Sequence, residues 1–169
     1  MKSLFAMLAG YNAWANERVY DAAEKLSDSD YRADRGAFFK SVHGTLNHLL
    51  VADRIWMRRF TGEGDAPNRL DAILFERFDE LRSARRAEDE RIRHYVEGLS
   101  QEALARRIRY GNISNTAQFE QPLAPVLLHF FNHQTHHRGQ VHALLTGLAG
   151  DAPSLDLVLF QRQSGMGMS

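Results

Sequence analysis

The stretch from Leu128 to Leu145, L-H-F-F-N-H-Q-T-H-H-R-G-Q-V-H-A-L-L, holds five of the chain's eight histidines and no proline. Imidazole binds divalent first-row metals through a neutral ring nitrogen, so clustered histidines point first to metal chemistry. Residues four apart on an α-helix share a face one turn apart, so His133 and His137 can present two rings to one ion. His129 and His133 have the same spacing, and spacing alone does not choose between the pairs. Apolar neighbours help. Advancing about 100° per residue, Val126, Phe130, Val141, Leu144, Leu145 and Leu148 fall on one arc, with Leu127 and Phe131 at its edge. His137 lies inside that arc and His133 beside it, whereas His129, His136, Gln140 and His142 lie further round, toward solvent or the rim of a groove. The plainer alternative is one histidine satisfied in the core and several exposed. Two ligands on one helix do not make a strong site; a third has to come from elsewhere.

A second helix supplies candidates. Ser41 can cap a helix running to about Thr61, where Gly62, Gly64 and Pro67 mark a loop. Val42, Leu46, Leu49, Leu50, Trp56, Met57 and Phe60 form its main apolar face. His43 shares a side with Asn47, Arg54 and Arg58; His48 shares one with Val51, Ala52 and Ile55, a second and weaker apolar strip, and is favoured as the third ligand. Apolar cover over so much of the circumference suits a helix at the centre of a bundle or at a subunit contact. On the first helix, about Ser3 to Leu26, Phe5, Leu8, Trp14, Val19 and Leu26 are available for the core. Asn12 and Asn16 are four apart there and read first as surface amides, the alternative being a polar pocket. With Gln140 they are the polar groups expected near an ion. No Asp or Glu stands at a spacing that makes it a general base, so the catalytic residue is unknown.

Composition narrows the chemistry. Cysteine is absent, which removes disulfides, thiolate ligands and a cysteine nucleophile together. With 21 basic and 21 acidic residues the chain has no net field to attract nucleic acid or an anionic membrane. Arg82, Arg85, Arg86, Arg91 and Arg93 alternate with Glu80, Glu88, Asp89 and Glu90, the pattern of a solvated helix face. No apolar run approaches the roughly 20 residues of a membrane span, and the opening M-K-S-L-F-A-M-L-A-G continues into helical spacing, so a mature, cytoplasmic protein is expected. No linker rich in Gly, Ser or Pro divides the 169 residues, which are read as one domain, 1–169.

A third helix is expected over about Leu70 to Glu97, with Ile73, Leu74, Phe78, Leu81, Ile92 and Val96 inward and a stop at Gly98. Ser100 can cap a brief helix. R-I-R-Y and, beyond Gly111-Asn112, T-A-Q-F-E-Q read as a β-hairpin. Pro122 and Pro125 suit the first turn of the fourth long helix, and the tail is expected to pack back through Leu155, Val158 and Phe160, with G-M-G-M-S frayed. The fold class is therefore all-α, a four-helix bundle with a small hairpin before the last long helix, the architecture that builds metal sites from facing helices. Glu-x-x-His pairs, His-Glu-x-x-His, G-x-x-x-x-G-K, G-x-S-x-G and G-x-G-x-x-G are all absent, which weakens di-iron, zinc-protease, nucleotide and serine-hydrolase readings.

N-A-W-A-N-E-R in the first helix, T-L-N-H-L-L-V-A-D-R-I-W in the second and F-N-H-Q-T-H-H-R-G-Q-V in the fourth resemble the DinB family of damage-inducible proteins, in the right order and over nearly the whole chain. The resemblance implies a bundle of up-down-down-up topology, a homodimer, and one divalent ion held by three histidines; carried over residue by residue these are His48, His133 and His137. Zinc, nickel and iron all accept imidazole and are not distinguished. Relatives in the wider superfamily, among them bacillithiol transferases and mycothiol-dependent maleylpyruvate isomerases, use such a site to activate a low-molecular-weight thiol. The expectation is a metal-binding protein acting as a small-molecule thiol S-transferase. A metal-dependent hydrolase and a non-enzymatic stress-induced binding protein are the alternatives.

Overall fold

The computed structural model describes residues 1–111 and 116–168. In chain order its elements are α1 (Lys2–Ala23), α2 (Asp28–Arg32), α3 (Val42–Thr61), α4 (Phe78–Gly98), α5 (Gln101–Ala105), β1 (Arg107–Gly111), β2 (Gln118–Pro122), α6 (Leu123–Ala149) and α7 (Leu157–Ser164). The chain is mostly helical, with one two-stranded antiparallel hairpin before the last long helix. Caps set the limits of the histidine-bearing helices. Ser41 Oγ accepts the Gly44 N–H at 3.0 Å and Gly62, at φ 78°, closes α3 in the left-handed conformation that glycine adopts without a Cβ clash. Pro122 precedes α6 and Gly150 ends it.

Long helices pack in a ring of neighbours: α1 lies against α4 and α6, and α3 against α6 and α4. Their buried faces make two main apolar clusters. One gathers Phe5, Trp56, Phe60, Ile92, Val96 and Phe130; the other gathers Val19, Tyr20, Leu46, Leu50, Leu81, Val141 and Leu145. Between them every long helix turns polar at the same level: Asn12 and Asn16 on α1, Asp53 on α3, Arg85 and Asp89 on α4, Gln134 and Arg138 on α6, all buried. Arg85 pairs with Asp53 at 2.7 Å and Asp89 at 2.9 Å. Asn12 and Asn16 amides donate to Asp89 at 3.1 and 2.9 Å, Arg138 donates to both asparagine carbonyls, and Gln134 donates to Asp53. Two guanidiniums offset two carboxylates in this layer, the arrangement a buried charge requires.

Several expectations are corrected here. Asn12 and Asn16 are not surface amides, because Asp89 and Arg138 give them buried partners. Arg85 and Asp89 leave the solvated face of α4 for the same reason, while Glu88 is buried with Arg91 of the same helix as its partner; an i, i+4 Arg–Asp pair that looks like surface decoration in sequence is turned inward. The third long helix starts at Phe78, not near Leu70. Backbone groups of the preceding segment bond to α3 side chains instead of to one another: Asn47 Oδ1 accepts the Leu74 and Phe75 N–H groups, and Asn47 Nδ2 donates to Phe75 O. Ile73 is consequently exposed. α1 ends at Ala23, three residues before Leu26, which still packs against the core. The tail forms α7, burying Phe160 on Tyr11 and Trp14 while Val158 faces out. The hairpin pairs Arg107 with Pro122 through Gly111 with Gln118. Asn112 of the expected turn and Ser169 of the tail lie outside the described residues.

Candidate metal centre

His48 on α3 and His133 and His137 on α6 bring one ring nitrogen each within 4.8 Å of one another. The Nε2 atoms of His48 and His137 are 3.2 Å apart, and those of His137 and His133 3.1 Å. Two nitrogens held 2.0–2.1 Å from a tetrahedral zinc ion lie about 3.3 Å apart, so the spacing fits a shared cation.

Hydrogen bonds on the far side of two rings sharpen this. His48 Nδ1 is 2.8 Å from Leu70 O, and His137 Nδ1 is 2.8 Å from Gln140 Oε1. Both partners are acceptors, so each Nδ1 carries the proton and a neutral ring then has its lone pair on Nε2. Two lone pairs therefore face each other at 3.2 Å, a repulsive contact that a cation between them makes attractive. Donation of the outer N–H to an oxygen is also how metal-binding imidazoles are oriented and made more basic. The donor set fits a divalent ion.

Electrostatics keeps the rings neutral. Burial lowers the His48 pKa to about 4, the Leu70 carbonyl pulling the other way and the neighbouring His137 adding to the fall. Burial and the surrounding His137, His48, His129 and His136 take His133 down to about 3. His137 is also lowered by burial, against the opposing bond to Gln140. Around neutral pH all three present lone pairs.

Of the sequence candidates, His48, His133 and His137 come together and Gln140 holds one of them. Asn12 and Asn16 instead serve the polar layer, where Arg138, the residue after His137 and about 100° round α6 from it, joins them. His43, the rejected third ligand, meets Phe75 O at 3.0 Å. His129 and His136 flank the trio without joining it. No carboxylate belongs to the cluster among the described residues. Sequence reasoning missed two contributors. Phe39 stacks on His48, ring centroids 3.7 Å apart and planes 15° apart, and meets His137 edge-on. A Phe-Phe pair in the otherwise polar stretch after Gly36 was the available signal. The Leu70 carbonyl is a backbone group and leaves no signature in residue type.

The family model described as the DinB family matches residues 1–166. Protein DinB of Bacillus subtilis (strain 168) is similar to this chain, 26% identical over 160 residues, which cover 91% of this chain and 92% of that relative.

Proposed function

This chain belongs to the DinB family, and from that premise we propose that it is a metalloprotein in which His48, His133 and His137 hold one divalent ion at which a small-molecule thiol is activated for transfer to an electrophile. The observation that carries the metal reading is the pair of Nε2 lone pairs turned toward each other by Leu70 O and Gln140 Oε1. Held by the neutral imidazoles of His48, His133 and His137, a divalent ion would keep its full positive charge and would supply Lewis acidity to a bound thiol, water or electrophile. Three protein ligands are the number found at catalytic zinc sites, where a position is left open.

The chain's own residues set the surroundings. Gln140 and the Leu70 carbonyl fix ring orientation; Phe39 covers one face of His48 and keeps water from it. With no cysteine in the sequence, the nucleophilic sulfur has to arrive as a cosubstrate. In the transfer an S–C bond forms, the electrophile's leaving group departs with the electron pair of its bond, and the thiol proton goes to solvent. The ring of helix contacts supports a four-helix bundle of up-down-down-up topology, and family membership supports a homodimer. α3 lends the dimer no support: 15 of its 20 residues are buried within one chain.

The test is a titration of cobalt-loaded protein with a panel of cellular thiols, followed by the cobalt spectrum and by consumption of monochlorobimane. A thiol that shifts the spectrum and is turned over supports transfer. A spectrum unmoved by every thiol removes the thiol reading and leaves the metal centre for hydrolysis or binding.

A further inference from the structure

Beside the three histidines a groove runs between α3, α6 and the hairpin. It consists of two adjoining hollows of about 160 and 360 Å³ that share Trp56, Arg59 and His129 as walls. The first reaches His133; the second extends to Tyr110 and Phe119. On α3 its wall runs from Ala52 to Arg59, about 10 Å along the helix axis, the length of a small molecule. Together the two hollows have the size of a small-ligand site.

Arg59 is the unusual group in it. Its guanidinium lies over the Trp56 ring at 4.4 Å and the Tyr110 ring at 5.2 Å, and donates to Gly111 O at 2.7 Å. It forms no ion pair with a carboxylate among the described residues, whereas Arg82, Arg85, Arg86 and Arg91 on α4 are all paired. Residues 112–115 are Asn, Ile, Ser and Asn, so that segment has no acid to offer. Half-burial lowers the Arg59 pKa, but a guanidinium stays charged in proteins. A partly desolvated cation fixed by two aromatic rings, with donors to spare and no counter-ion among the described residues, sits where the two hollows meet, and the smaller of them leads to His133. Planar N–H donors match a carboxylate in two-point fashion.

We propose that this groove is the second half of the substrate site: Arg59 binds a carboxylate of the small molecule where the two hollows meet, Trp56 flanks the body that runs through the smaller hollow to His133 and the metal-binding histidines, and the hollow lined by Tyr110 and Phe119 takes an apolar substituent. The substrate class is thus a small carboxylic acid, and under the reading above a carboxylate-bearing thiol or its electrophilic partner. That extension rests on the metal-centre reading; the anion subsite itself does not.

The subsite is tested on metal-free protein by following its two tryptophan indole N–H signals in ¹⁵N spectra. Trp56 lines the groove, and Trp14, bonded to Gln163 on the α1 and α7 side, is the internal control. Phenylacetate at pH 7 is expected to move the Trp56 signal saturably and leave Trp14 in place. Phenylacetamide, the uncharged isostere, is expected to bind at least tenfold more weakly. Arg59→Met should bring phenylacetate down to the level of the amide, with the rest of the spectrum unchanged. Equal affinity for acid and amide in the wild type, or a Trp56 signal that neither moves, overturns the proposal whether or not the variant folds. Because no ion is present in this titration, a failure of the metal reading appears separately, as a missing cobalt spectrum.

Discussion

His48 and His137 each give the Nδ1 proton to an oxygen and turn an Nε2 lone pair toward the other. One of those oxygens can be removed by mutation. Gln140→Ala frees the His137 ring to rotate and to change tautomer, and loss of such an orienting partner costs about 10- to 100-fold in metal affinity. Competition against a chromophoric chelator should read a loss in that range, while an unchanged affinity would mean that the amide does not orient the ring. Depressed histidine pKa values also set a pH signature. Three imidazoles of ordinary pKa, about 6.5, would lose about 500-fold in affinity between pH 7 and 5.5 as protons compete for the lone pairs. Rings lowered to about 4 and 3 stay unprotonated across that interval, which leaves His137, itself lowered by burial, as the one of the three at which protons can compete. Cobalt affinity should therefore fall less than about tenfold. The sign for folding is the same: the unfolded chain takes up protons below pH 6.5 that the folded rings refuse, so their contribution to stability is present above 6.5 and shrinks as pH falls toward 4. At this scale the sequence was informative where a side chain does the work. Helical spacing and the apolar faces favoured His137, His133 and His48, and the family resemblance completed the set, but the Leu70 carbonyl and the Phe39 ring come from irregular segments whose path no periodicity describes.

At the level of elements, the polar layer between the two apolar clusters ties all four long helices together beside the histidines. Arg85 is its hub, between Asp53 and Asp89. Burial pushes the Asp53 carboxyl up to about 7, with the Arg85 charge holding it down. Removing the guanidinium takes from Asp53 and Asp89 the cation that pairs with both directly and leaves Arg138 as the layer's only guanidinium, a loss of about 3–5 kcal/mol for a broken buried pair. Urea unfolding of Arg85→Ala should show a destabilisation of that size at pH 7; a change under about 1 kcal/mol would show the layer to be energetically idle. Its effect reaches the site, because Gln134 and Arg138 alternate along α6 with His133 and His137 and fix how that helix is turned. The layer was not legible in sequence. Asn12, Asn16, Arg85 and Asp89 are residue types usually found exposed, and only partners on other helices make them interior. Caps, by contrast, are local, and Ser41, Gly62 and Ser100 act where the sequence places them. The stretch from Leu70 to Arg77 has helical spacing of apolar residues, yet its backbone bonds go to Asn47, a tertiary choice that overrides a local pattern.

For the whole molecule, helix order, the hairpin and the long link between α3 and α4 follow from patterning and turn chemistry, while α7 escaped because its eight residues carry only one that becomes buried, Phe160. The proposed dimer predicts a light-scattering mass near twice the 19.3 kDa of one chain at micromolar concentration; a mass of one chain contradicts it. Thiol activation, unlike the anion subsite at Arg59, requires an ion at His48, His133 and His137. The direct measurement is elemental analysis of protein produced without a histidine tag or nickel column, beside His48→Ala, His133→Ala and His137→Ala variants shown by circular dichroism to be folded. The account predicts about one divalent ion per wild-type chain and at least a tenfold lower content in each variant. Equal metal content in all four proteins, or none in the wild type after incubation with zinc, nickel or iron, would contradict it.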